Sequence, residues 1–195
     1  MMVIFITKIL YCILIFNLSD IGHHIFSNLV NMKTLYLVRH AKSSWKNPEL
    51  VDFDRPLNKR GKRDAPFMGE VLMDKKVKPD YILASPAKRT KKTAIEIAEK
   101  ISFPVKDISF NEELYEASMN SLLSLIKKID GKHNSVMIFG HNPGLTTLNN
   151  LISNHYIDNI PTCGIVALKT DKEWKEIGKN SFSFVFFEHP KMYLD

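Results

Sequence analysis

The amino-acid sequence predicts an α/β fold, a three-layer α/β/α sandwich with a mainly parallel central sheet. Three observations carry that prediction. Short apolar runs recur at 34–39, 80–85, 135–140, 163–169 and 182–187, each bounded by polar, Gly or Pro residues as buried strands are. Between most of them lie segments with apolar residues at helical spacing, at about 58–74, 87–101, 118–129 and 144–153, and such alternation threads strands into one sheet through crossover helices. A chain of 195 residues with 45% hydrophobic content also suits one domain with a sizeable core.

Met1 to Leu18 is strongly apolar, with Lys8 as its only charge. Its uninterrupted apolar stretch is shorter than the roughly 20 residues that span a bilayer, and it lacks the basic start and small-residue cleavage site of a signal peptide. Residues 1–31 are therefore expected to be an apolar leader outside the folded domain, with translation beginning at Met32 and the domain covering 32–195. A membrane role is expected only if 1–18 is a real anchor.

The first strand, Thr34 to Val38, ends abruptly on Arg39 and His40. The carboxyl end of a parallel strand is where ligand sites gather. Guanidinium there offers a planar fork matched to phosphate oxygens, and neutral imidazole offers a nucleophile near neutral pH. In Asp54–Gly61, Arg55 precedes Pro56 and Leu57. It either reaches the pocket rim to meet substrate or holds its loop through Asp52 or Asp54. Asn58 suits an N-cap for a helix burying Gly61, Ala65, Met68 and Leu72.

Tyr81, Ile82 and Leu83 form the next strand, Ser85 and Pro86 open a helix, and Arg89 falls in its first turn. Ala94, Ile97, Ala98 and Ile101 mark that helix's inner face, while Lys88, Lys91 and Lys92 read as a solvated one. The strand Ser135–Gly140 delivers His141, and Asn142, Pro143 and Gly144 turn into a helix facing inward with Leu145, Leu148 and Ile152. No helix separates the last two strands, so the Lys172–Asn180 link suits a hairpin at one edge. Two histidines and two arginines thus arrive from three strand ends, the composition of a pocket for a phosphoryl dianion.

LYLVRHAK, DRPLNKRG, SPAKRTKKTA and GHNPG, in that order, resemble the histidine phosphatase superfamily, the phosphoglycerate mutase-like proteins, and within it the small SixA-type phosphohistidine phosphatases. The resemblance runs from about Met32 to the C-terminus. It implies His40 as nucleophile, Arg39 and Arg89 as phosphate-binding arginines, and His141 as the second pocket histidine. Ala41 stands where the superfamily usually has Gly, as in many SixA-like members. The NEELYEA stretch resembles the region holding the superfamily's acid, which places Glu113 in that role; Glu112 and Glu116 are its neighbours. A Glu pair before a helix otherwise caps it or stays solvated.

The expected function is a metal-independent phosphatase acting through a phosphohistidine on His40, with no cofactor, removing phosphate from phosphohistidine on a partner protein. Only about 50 residues separate Arg89 from His141, leaving little room for a lid over a small metabolite. A small-molecule phosphomonoesterase, a mutase and a silent phosphate-binding module are the alternatives. Cys12 and Cys163 form neither a disulfide framework nor metal-ligand spacing, so a reduced, cytoplasmic setting is expected. The net charge of +6 comes without a nucleic-acid motif, and no nucleic-acid partner is expected. The basic residues instead crowd the pocket segments, where they would steer anionic substrates.

Overall fold

The computed structural model describes residues 32–194, so the leader predicted for 1–31 lies outside the described residues. Six strands, β1 (Lys33–Arg39), β2 (Tyr81–Ala84), β3 (Ser109–Phe110), β4 (Ser135–Gly140), β5 (Ile165–Thr170) and β6 (Ser183–Glu188), form one sheet in the order β3-β2-β4-β1-β5-β6. The four helices among the described residues are α1 (Lys59–Asp74), α2 (Lys88–Lys100), α3 (Met119–Lys127) and α4 (Gly144–Ile152). Their bounds lie within two residues of those the hydrophobic spacing predicts. β3 is the strand the sequence did not announce, because two residues are too few to show a period.

β3, β2, β4 and β1 run parallel, whereas β5 is antiparallel to β1 and β6 antiparallel to β5. The predicted edge hairpin is thus β5–β6, with a short 3-10 turn at Trp174–Glu176 in its link. β5 begins opposite Val38, beside the carboxyl end of β1. The backbone N–H of Cys163, just before it, donates to the carbonyls of Arg39 and His40.

Alternation along β1 builds both cores. Tyr36 and Val38 pack with Ala65, Met68 and Leu72 of α1 and Ala94, Ile97 and Ala98 of α2. Leu35 and Leu37 pack on the other face with Leu122, Leu125 and Ile126 of α3 and Leu145, Leu148 and Ile152 of α4. Helices therefore cover both faces of the sheet, and each fully buried Leu or Ile contributes about 1.5–3 kcal/mol. Among the described residues no helix is long and apolar enough to cross a membrane.

Two features of this scaffold position the site. β2, β4 and β1 are neighbours, with Ala84 opposite Phe139 and Arg39 opposite Gly140. The residues that follow these strands must emerge side by side, about 5 Å apart from strand to strand. The second feature is the start of α1. Asn58 caps it by accepting from the Gly61 N–H at 2.8 Å, and its own N–H donates to the Lys42 carbonyl at 3.0 Å. A Cβ on Gly61 would lie 2.2 Å from that same carbonyl oxygen, so glycine is what allows the helix to rest on the loop after His40.

Candidate active site

His40 leaves the end of β1 and turns its ring so that Nδ1 lies 2.8 Å from the Ala41 carbonyl. A carbonyl only accepts, so Nδ1 carries the proton and Nε2 keeps its lone pair. The Ala41 N–H is fixed by Thr93 Oγ1 at 3.0 Å, and the Thr93 hydroxyl donates to the Arg89 carbonyl at 2.7 Å. One threonine thereby ties the His40 loop to the helix carrying Arg89. Burial, with the charges of Arg89 and Arg39, outweighs the Ala41 carbonyl and lowers the His40 pKa to about 4. At neutral pH the ring is uncharged, the state in which imidazole is nucleophilic.

His141, following β4, lies with its ring centroid 5.1 Å from that of His40. Its Nδ1 accepts from Arg89 Nη2 at 3.3 Å, which leaves Nε2–H to donate to Ser85 Oγ at 2.9 Å. Burial first, then the neighbouring positive groups, lowers its pKa to about 3. An arriving dianion would reverse the sign of the local field and favour its protonation.

Arg89, only 5% exposed, joins these groups. Its Nε donates to His40 Nε2 at 3.3 Å, while Nη1 and Nη2 hold Asp52 through its carbonyl and its Oδ2, the latter at 2.7 Å. Asp52 also accepts from Tyr115 Oη at 2.9 Å and from Arg55 Nη1 at 2.6 Å. Burial pushes the Asp52 carboxyl up, but Tyr115, Arg89 and Arg55 together outweigh it and hold the group below its ordinary value.

Arg39 flanks His40 from the β5 side, where Nη1 donates to the Ile160 carbonyl at 2.7 Å. Asn142 Nδ2 shares that acceptor at 3.0 Å. The Arg39 Nε is buried with no hydrogen-bond partner among the described residues, a donor available to an anion.

The geometry therefore brings His40, Arg89 and His141 into mutual contact, with Arg39 alongside. Arg55 shows the Asp52 contact that was one of its two sequence readings. Its other nitrogens go to Ser43 Oγ at 2.6 Å and the Ser44 carbonyl at 3.0 Å, and its guanidinium lies 3.1 Å from the Trp45 ring centroid. Glu113 is not among the assembled groups. It sits in the 3-10 turn Glu112–Leu114 and lines a separate cleft with Tyr81, Leu83, Lys128 and His133. Among the described residues no cluster of three or more His, Cys, Asp or Glu is placed to hold a metal ion.

Sequence reasoning passed over Asp52 except as a loop partner, and it missed Tyr115, Ser85 and Thr93. Only Ser85 left a signal, as the polar residue directly after β2.

The two depressed histidines make stability depend on pH. In the unfolded chain each takes a proton near pH 6.5; folded, they stay neutral to about 4 and 3. Below 6.5 the unfolded chain binds more protons, so stability present above that pH is progressively lost as pH falls towards 4 and then 3. The expected result is a thermal midpoint that drops steadily from pH 7 to pH 4, by less in a His141→Asn variant. A midpoint indifferent to pH over that range would contradict the neutral pair.

The family model of the histidine phosphatase superfamily (branch 1) matches residues 35–143, more than half of the chain. An uncharacterised chloroplastic protein of Arabidopsis thaliana is 31% identical over 153 residues, covering 74% of this chain and 70% of its own. A crystal structure from Agrobacterium tumefaciens, assigned as the phosphohistidine phosphatase SixA, superposes with a TM-score of 0.69 at 30% identity, covering 81% of this chain and 98% of its own. The protein histidine phosphatase SixA in complex with tungstate shares the fold, with a TM-score of 0.70 at 19% identity over 82% of this chain and 98% of its own.

Proposed function

Because the chain belongs to the histidine phosphatase superfamily and is a phosphatase, we propose that it works without a metal through a phosphohistidine on His40, and that its substrate is phosphohistidine on a partner protein. His40 Nε2 attacks phosphorus in line, and a P–N bond forms as the bond to the leaving group breaks. Water then attacks the phosphorus, the P–N bond breaks, and phosphate leaves with His40 restored. Arg89 and Arg39 offset the charge on the equatorial oxygens, and His141 joins them once the dianion has raised its proton affinity.

The observation that carries the substrate class is the state of Asp52. Among the described residues it is the carboxylate hydrogen-bonded to Arg89, and Tyr115, Arg89 and Arg55 keep it ionised. An ionised carboxylate cannot hand a proton to a departing alkoxide, a poor leaving group without one. The imidazole of phosphohistidine departs without that help, because its other ring nitrogen takes a proton from water near neutral pH and the ring leaves neutral. Small phosphomonoesters form the second reading, supported by His141, whose Nε2–H lies 2.9 Å from Ser85 Oγ in a hydroxyl-lined pocket that could relay a proton.

A phosphohistidine-bearing protein assayed against phosphoglycerate and sugar phosphates tests the choice. Protein phosphohistidine should be preferred by at least about 100-fold in kcat/KM, the scale of one missing acid catalyst. Equal turnover of the esters would overturn it. Glu113→Gln, an exposed position, should leave phosphohistidine turnover within about twofold, as surface substitutions do; a large loss would return Glu113 to the chemistry.

A further inference from the structure

Two clefts are lined by residues that the mechanism does not use. One, of 850 Å³, is lined by Lys46, Lys59, Arg60 and Arg63; the other, of 270 Å³, by Lys62, Lys88, Lys91 and Lys92. They share Pro56 and Leu57 as lining residues, and Ile95 adds to the apolar surface of the second. No acidic side chain lines either cleft.

Charge is left over here. Arg60 and Arg63 share Asp64, and Lys92 pairs with Glu96. Lys46, Lys59, Lys62, Lys88 and Lys91 make no ion pair among the described residues. The lysines cost self-repulsion while they remain unmatched. Each cleft is also one step from the site. Ser44, in the first lining, is tied to Arg55 and through it to Asp52, and Lys88 in the second immediately precedes Arg89.

We propose that the two clefts form one docking groove for an acidic segment of the protein that carries the phosphoryl group, with an aliphatic side chain of that segment seated on Pro56 and Leu57. This rests on the phosphohistidine reading above and names where its partner binds. An unstructured run of lysines would attract any polyanion; an apolar floor between two cationic rims suits an acidic peptide, whose side chains can fill it, better than a nucleic-acid backbone.

Two synthetic peptides test this, each bearing one phosphohistidine, flanked in one by Glu and Leu and in the other by Gln and Leu. At low salt the acidic peptide should be turned over with a kcat/KM about tenfold higher, the lower end of electrostatic steering. In 0.5 M NaCl, where the screening length shrinks to about 4 Å, the preference should vanish. The double variant Lys62→Glu/Lys91→Glu should lose it at low salt while hydrolysing p-nitrophenyl phosphate as the unaltered protein does. Equal rates on the two peptides, a preference that survives charge reversal, or competition by single-stranded DNA stronger than by the unphosphorylated acidic peptide would overturn the groove. The phosphohistidine reading fails separately, if the unaltered protein hydrolyses p-nitrophenyl phosphate but turns over neither peptide.

Discussion

His40→Ala is expected to abolish turnover, with a fall in kcat of at least about 10⁴-fold, as when a covalent nucleophile is removed from its supporting groups. The reason lies in the aim of one lone pair. With Nδ1 committed to the Ala41 carbonyl at 2.8 Å, Nε2 is the imidazole nitrogen left to attack. The rest of the pocket does not depend on that ring: Thr93 still holds the Ala41 amide, and Arg89 still holds Asp52. The variant should therefore fold, bind inorganic phosphate and fail to turn over. Rapid quench with a labelled phosphodonor checks the same point directly, since acid-labile, alkali-stable label should map to His40 in the unaltered protein and be absent from the variant. Label appearing instead on His141, or a variant retaining a tenth of the activity, would refute the assignment.

Arg89→Ala carries the second largest expected loss, about 10²- to 10³-fold in kcat, the range for removing one preorganised donor from a developing oxyanion. Four contacts disappear together: those to His40 Nε2, His141 Nδ1, Asp52 Oδ2 and the Asp52 carbonyl. Arg89→Lys should recover little, because an ammonium cannot reproduce a fork that serves several acceptors at once. A second signature separates electrostatics from misfolding. The Arg89 charge helps to lower the pKa of both pocket histidines, so its removal should move both titrations upward. NMR of the histidine ring protons reads this directly, and unchanged titrations would show that the guanidinium does not govern the pocket's field.

How much of this was legible in the sequence follows from the range of each interaction. Arg39, His40 and His141 stood out because ionisable groups directly ended unbroken apolar runs, a local pattern that also fixed β1 and β4. The direction of β5 was not legible, since a buried strand has the same composition whether its neighbour runs with it or against it. Asp52 escaped because its meaning comes from Arg89, 37 residues away, and Tyr115, 63 residues away. Glu113 shows the opposite limit. A resemblance can mark a position along the chain, yet the local 3-10 turn, with Asn111 Oδ1 accepting the Glu113 N–H at 2.8 Å, decides which cleft its side chain lines.

The contact between Gly61 and the Lys42 carbonyl leaves the nucleophile's loop without slack. Even one methyl group at 61 must displace either a helix that anchors half the hydrophobic interior or a backbone two residues from the reacting nitrogen. Robustness and reactivity are thereby soldered at one position, and engineering that stiffens or loosens this helix will retune the chemistry along with it.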